Sequence, residues 1–273
     1  MEVMATISHG SSVVEIESGW VSVERTGEGP DLLLLHSLLT DRRAFEPIVE
    51  SLSKTRTVNL IDLPGFGETT LVDPTIDAQS EVIGSLLTVA DYDPATTALL
   101  GNGWGAFVAL GTALNFGSLF DRLLLVGCGS TFPEPAKESF RAMIGAVESE
   151  GMTGVIDTAV RRIFPESYLA DHPGVIEERG DVLRATSPTA FVAACQALID
   201  MDYTDPIGDV LNSTLVVVGD QDEATPPAMA EDLVAGMPNA ARVEMRGIGH
   251  APQLQDPNRF LETVGGFLGL DAT

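Results

Sequence analysis

Basic residues are scarce in this sequence: fifteen Lys and Arg stand against forty Asp and Glu among 273 residues, a formal net charge of −25. A field of that sign repels phosphate backbones and anionic lipid headgroups, so nucleic-acid and membrane partners are set aside. The acidity itself reads as a solvated anionic shell rather than as a substrate signal. Cysteine is nearly absent. Cys128 and Cys195 lie in the apolar stretches LLLVGCGS and FVAACQAL without metal-ligand spacing, so both are expected to be buried free thiols, and nothing requires an oxidising compartment. No apolar run approaches the length that crosses a bilayer, and MEVMATISHGSS has neither a basic start nor an apolar leader segment. The expectation is a soluble, cytoplasmic protein. Internal repeats, low-complexity tracts and long linkers are missing as well.

Apolar residues make up 44% of the chain, ample for a buried core. Val13–Ile16 and Trp20–Glu24 read as a hairpin around Ser18-Gly19. The unbroken apolar runs LLLLH at 32–36, TVNLID at 57–62, Thr97–Gly101, RLLLVG at 122–127 and TLVVVG at 214–219 have the pattern of strands buried on both faces, and Ala241–Arg246 adds another strand. Helical patterns at Arg43–Lys54, Thr75–Ala90 and Gly105–Asn115 alternate with them, and a last one runs from Pro257 to Leu268. The alternation predicts an α/β fold: a mostly parallel eight-stranded sheet flanked by helices. From Pro133 to Tyr203 there are only helical patterns. They predict a cap over residues 131–204, inserted after strand 6 into a core made of 1–130 and 205–273.

In such sheets, sites lie beyond the carboxyl ends of the strands. Of four histidines, His9 falls in the N-terminal tail, His172 in the cap and His36 at a strand end. His250 follows the last strand in RGIGHAPQLQDP. The loop VVVGDQDEATPP offers it a carboxylate that can accept the Nδ1 proton and fix the tautomer for base work. Asp222 is the preferred partner, with Asp220 and Glu223 as rivals. The stretch LLGNGWGAFVAL then sets a strand, a sharp turn and a helix around Gly103.

Gly101-Asn102-Gly103-Trp104-Gly105 resembles the G-x-S-x-G elbow of the α/β-hydrolase superfamily, whose order is nucleophile, acid, base. Further matches are LLLLHSLL, similar to the His-Gly loop with Ser37 where glycine is usual, the turn DLPGFGET at 62–69, GDQDEATPP and GIGHAPQLQDPNRF. Five segments in the right order make the resemblance specific. HSLLTDRRAFEPIVESL and SPTAFVAACQALIDMDYTDPI are similar to 3-oxoadipate enol-lactonases and related small-ester hydrolases. The resemblance implies ester or lactone hydrolysis, Asp222 and His250 as acid and base, Leu38 and Trp104 as backbone oxyanion donors, and no metal or organic cofactor. It implies a small-molecule ester or lactone as partner and leaves a homodimer open. Ser37, Arg161 and Arg162 become candidates for substrate binding. The two arginines are adjacent, about a hundred degrees apart on a helix, so one of them at most can line a pocket and hold a carboxylate.

Glycine at 103 departs from the pattern, because it has no side chain with which to attack a carbonyl. Three explanations stand: an inactivated copy of a serine hydrolase, a native glycine enzyme in which His250 activates water or a substrate proton, and a ligand-binding protein without turnover. Ser37, Ser130 and Cys128 are weighed as substitute nucleophiles and set aside, the serines because neither sits on the elbow and Cys128 because its apolar neighbours mark an inert buried thiol.

Overall fold

A computed structural model describes residues 10–270 of the chain, so His9 lies outside the described residues. Eight strands form one sheet in the order β1-β2-β4-β3-β5-β6-β7-β8. β1 (Gly10–Ile16) and β2 (Gly19–Thr26) are an antiparallel hairpin whose two-residue turn is Glu17-Ser18. β2 runs antiparallel to β4 (Thr57–Ile61), and all remaining pairings are parallel: β3 (Asp31–Leu35), β5 (Ala98–Asn102), β6 (Arg122–Val126), β7 (Ser213–Gly219) and β8 (Ala240–Met245).

Every residue of β3, β4 and β5 is buried, which is why these strands read as unbroken apolar runs rather than alternating ones. The period of two still operates. Leu33 and Leu35 face a core shared with α2 (Ile76–Val89) and α3 (Trp104–Phe116), while Leu32 and Leu34 face a second core built with α1 (Glu46–Leu52) and a C-terminal helix, Pro257–Leu268. Fully burying each such leucine contributes roughly 1.5–3 kcal/mol before chain entropy is counted.

Between β6 and β7 the chain is helical: α4 (Glu134–Glu150), α5 (Ile156–Ile163), α6 (Glu166–Asp171), α7 (Val175–Ala185) and α8 (Pro188–Asp200). Their apolar faces join the core on the α2/α3 side of the sheet, through Phe140, Val160, Phe191 and Leu198. Three more helices follow, α9 (Pro227–Gly236), α10 (Pro252–Gln255) and α11 (Pro257–Leu268). Among the described residues no single helix is long and apolar enough to cross a membrane.

Two local outcomes differ from the sequence reading. The expected helix at 43–54 is a 3-10 turn, Arg42–Phe45, followed by α1, because Pro47 has no N–H to continue the first segment and instead opens the second. Helix α9 was not expected at all. It begins at Pro227, with Pro226 as its N-cap, and buries only Met229, Ala230 and Leu233, a short apolar stripe.

Candidate active site

The site forms where the sheet changes winding direction: β3 and β5 are neighbours, with Leu35 paired to Gly101, yet their outgoing loops turn to different tasks. After β5 the chain makes a sharp turn at Gly103, φ 53° and ψ −117°, and starts α3 at once. The turn packs tightly. A Cβ on Gly105 would come within 2.1 Å of the Leu35 carbonyl oxygen, so helix can approach strand this closely only with glycine there. Gly103 N–H donates to Val126 O at 2.8 Å and Gly105 N–H to His36 O at 3.0 Å, fixing the turn to the strands on either side.

His250 is presented to this turn from the loop after β8. Its Nδ1 lies 2.9 Å from Asp222 Oδ2 and 3.2 Å from Thr225 Oγ1. Asp222 is 3% exposed and fully engaged: Oδ1 accepts from the N–H groups of Ala224 and Thr225 at 2.8 and 2.9 Å, and Oδ2 accepts from the Thr225 hydroxyl at 2.8 Å. A carboxylate held in this way directs the imidazole proton to Nδ1, leaving Nε2 as the basic nitrogen. Nε2 points at the elbow. A Cβ built on Gly103 would sit 2.5 Å from it and 2.6 Å from Ser37 Oγ.

The loop after β3 supplies the other wall. His36 is fully buried; its Nδ1–H donates to Ser37 O at 2.9 Å and its Nε2 accepts from Leu63 N–H at 3.2 Å, so it is a neutral structural histidine. Burial moves its pKa below the ordinary 6.5, in keeping with that role. Leu38 and Trp104 follow Ser37 and Gly103 respectively, and both line the pocket. Among the described residues neither backbone N–H has a protein acceptor.

The model of the alpha/beta hydrolase family matches residues 32–263. The chain belongs to that family. Among curated proteins it is similar to the pimeloyl-[acyl-carrier protein] methyl ester esterase of Aeromonas hydrophila, 27% identical over 261 residues, covering 91% of this chain and 99% of that protein. Among solved structures, the enol-lactonase from Burkholderia xenovorans LB400 superposes with a TM-score of 0.87 at 23% identity, over 94% of this chain and 100% of that one, a likeness of fold. A thermophilic esterase from Thermogutta terrifontis gives 0.83 at 25% identity, over 95% and 98%.

In this alpha/beta hydrolase the space above the elbow is a narrow apolar pocket with about 30 Å³ of free volume, walled by Leu38, Trp104, Phe107, Phe132, Phe140 and Met143. Trp104 is 2% exposed and its indole N–H is buried without an acceptor among the described residues. The two adjacent arginines of α5 part company. Arg161 is turned to solvent, paired with Asp157 at 3.0 Å and Glu166 at 2.5 Å, and is not in the pocket, so the expectation of substrate contact is corrected there. Arg162 lines the pocket, its guanidinium carbon 5.8 Å from the centre of the Phe140 ring, and has no ion pair or hydrogen bond among the described residues. Burial lowers its pKa while Asp222 raises it, and an arginine remains cationic under that pull.

The other candidates lie apart. Asp220 accepts from Gly247 N–H at 2.6 Å, and Glu223 is exposed. His172 stacks on Tyr168 at the surface of the helical segment, with ring centres 4.1 Å apart. Cys128 is fully buried against its own turn, and Ser130 is not among the pocket residues. Among the described residues no group of three His, Cys, Asp or Glu side chains is arranged to hold a metal ion.

Sequence reasoning missed Thr225, which braces both Asp222 and His250, and Asn102, whose side-chain amide donates to His250 O at 2.9 Å and to Val126 O at 3.2 Å while accepting from Gln253 Nε2 at 2.9 Å. It also missed the tie between the helical segment and the histidine loop: His250 N–H donates to Ile163 O at 2.9 Å. A polar residue inside the GNGWG turn was the available signal for Asn102. Nothing local marked the other two.

Proposed function

We infer that this chain hydrolyses a small ester or lactone, with His250 as general base, Asp222 as the group that orients it, and the backbone amides of Leu38 and Trp104 as the oxyanion hole. The observation that carries the reading is the alignment of a buried carboxylate and imidazole on one point at the turn after β5, beside two unoccupied amide donors. The esterases among its relatives agree with it. In this reading residues 131–204 act as a cap over a core of 1–130 and 205–273.

Gly103 takes no part as a nucleophile. His250 Nε2 instead removes a proton from an oxygen held beside the elbow, that oxygen adds to the substrate carbonyl, and the negative charge moves to the carbonyl oxygen between the two amides. Collapse of the tetrahedral adduct expels the alkoxide, which takes the proton back from His250.

The substrate we favour carries a carboxylate next to a short apolar body. Arg162 is a cation without an ion pair or hydrogen bond among the described residues, set in the apolar wall against Phe140, and a bidentate carboxylate would satisfy it. Assay of short-chain p-nitrophenyl esters, half-esters of dicarboxylic acids and small lactones tests the reading. Turnover that vanishes in His250→Ala supports it, and turnover indifferent to that change removes it.

A second reading is an inactivated serine enzyme, favoured by the intact outer glycines of the elbow. Its signature would be a large gain of activity in Gly103→Ser.

A further inference from the structure

We propose that Ser37 is the nucleophile: the attacking hydroxyl has moved from the elbow after β5 to the loop after β3. This rests on the reading of Asp222 and His250 given above. The point at which a side chain on residue 103 would begin is 2.5 Å from His250 Nε2 and 2.6 Å from Ser37 Oγ. The two atoms flank the same small volume. A serine at 103 hydrogen bonded to Nε2 would need its Cβ about 3.5 Å from that nitrogen, so the imidazole stands too close for an elbow serine. The ring and the Ser37 hydroxyl occupy that room between them.

Ser37 is prepared for the role in three further ways. Its carbonyl accepts from His36 Nδ1 at 2.9 Å and from both the backbone N–H and the hydroxyl of Thr40 at 3.2 Å, which holds the residue rigidly. Its own hydroxyl lines the pocket and is hydrogen bonded to no group among the described residues, His250 Nε2 included, so it reaches the base by turning about its Cα–Cβ bond. The residue after it, Leu38, presents a free amide, the same relation that an elbow serine has to its oxyanion hole. No positive φ is required at Ser37, so the hydroxyl is offered without the strain that an elbow demands.

The step balances without an outside oxidant or reductant. As Ser37 Oγ bonds to the ester carbon, its proton passes to His250 Nε2 and the carbonyl π pair becomes the oxyanion. The carbon–oxygen bond to the leaving group then breaks, and His250 returns the proton to the departing alkoxide. Water attacks the acyl-Ser37 ester with His250 again taking its proton, and the acid and the free Ser37 hydroxyl are regenerated.

The experiment is labelling of the full-length protein with a fluorophosphonate, followed by intact mass and peptide mapping, with ester turnover measured on the same samples. The expected result is one adduct on the peptide containing Ser37, absent in Ser37→Ala and in His250→Ala, with turnover lowered about 10³-fold or more in both. Ser37→Gly, the residue usual in this loop for the family it resembles, serves as a second variant should alanine disturb folding. Turnover that needs His250 but survives in Ser37→Ala overturns the proposal and leaves the hydrolase reading standing, with water as the attacking oxygen. An adduct on Ser37 without turnover of any ester supports the nucleophile and removes that reading. Absence of an adduct, or an adduct elsewhere, overturns the proposal.

Discussion

Asn102 donates its side-chain amide to the carbonyl of His250 at 2.9 Å, so the residue before the elbow holds the loop that carries the imidazole. The same amide group reaches Val126 O and is itself held by Gln253. In Asn102→Ala the His250 carbonyl and Gln253 Nε2 lose their partner, at roughly 1–3 kcal/mol for each one left unpaired, while Val126 O keeps the Gly103 N–H. The variant is expected to unfold at lower urea and to lose kcat with little change in KM, because the histidine loop loosens while the pocket walls do not. Unaltered kcat with unaltered stability would show that the bridge is incidental.

Gly103→Ser separates a closed site from a merely emptied one. A side chain at 103 meets His250 Nε2 at 2.5 Å and adopts φ 53°, a backbone state that costs a serine about 1–3 kcal/mol. The expected outcome is a lower melting temperature and turnover no higher than the parent protein's. A gain of several hundredfold would identify the chain as an inactivated serine enzyme whose base readily retreats.

Arg162→Gln tests the carboxylate subsite. For half-esters KM is expected to rise by about tenfold or more, the scale of one lost charge-assisted hydrogen-bonding partner, while neutral esters of the same length keep their KM. Arg161→Gln serves as the control, since that side chain is committed to Asp157 and Glu166 at the surface. Equal effects of both variants on both substrates would contradict a specific subsite.

The thiols are expected to be inert in the folded protein. Burial pushes Cys195 up to about 12 and raises Cys128 further, so neither supplies thiolate at neutral pH. Ellman's reagent should register almost nothing in native buffer and two thiols per chain in denaturant. Fast native labelling of either cysteine would mean that the core around it opens.

Much of this arrangement is legible in the amino-acid sequence. Strands buried on both faces announce themselves as continuous apolar runs, and the spacing of Gly101, Gly103 and Gly105 follows from how closely α3 must approach β3 and β5. Asp222 and His250 are legible because each lies in the loop that leaves a strand on the side where sheets of this kind place their chemistry. What escaped depends on distance in space. Asn102 and His250 are 148 residues apart in the chain, and no local pattern reports that they touch. Thr225 reads as an ordinary turn residue, since its bond to Asp222 is local to one loop and its contact with His250 exists only once the β7 and β8 loops converge. Helical geometry required Arg161 and Arg162 to diverge but did not say which would turn inward; the carboxylates of Asp157 and Glu166 on the solvent side hold the first one out. Ser37 looked misplaced because it is not on the elbow, and only the close approach of the imidazole to Gly103 gives it a role.

Ester turnover in Asp222→Asn is the most direct measurement of the central claim, that a buried carboxylate sets His250 up as the base at this turn. Asparagine keeps the shape of the side chain but favours the wrong imidazole tautomer, and the account predicts a fall in kcat of about 10³–10⁴-fold with the fold intact. Turnover in Asp222→Asn equal to that of the parent protein would contradict it.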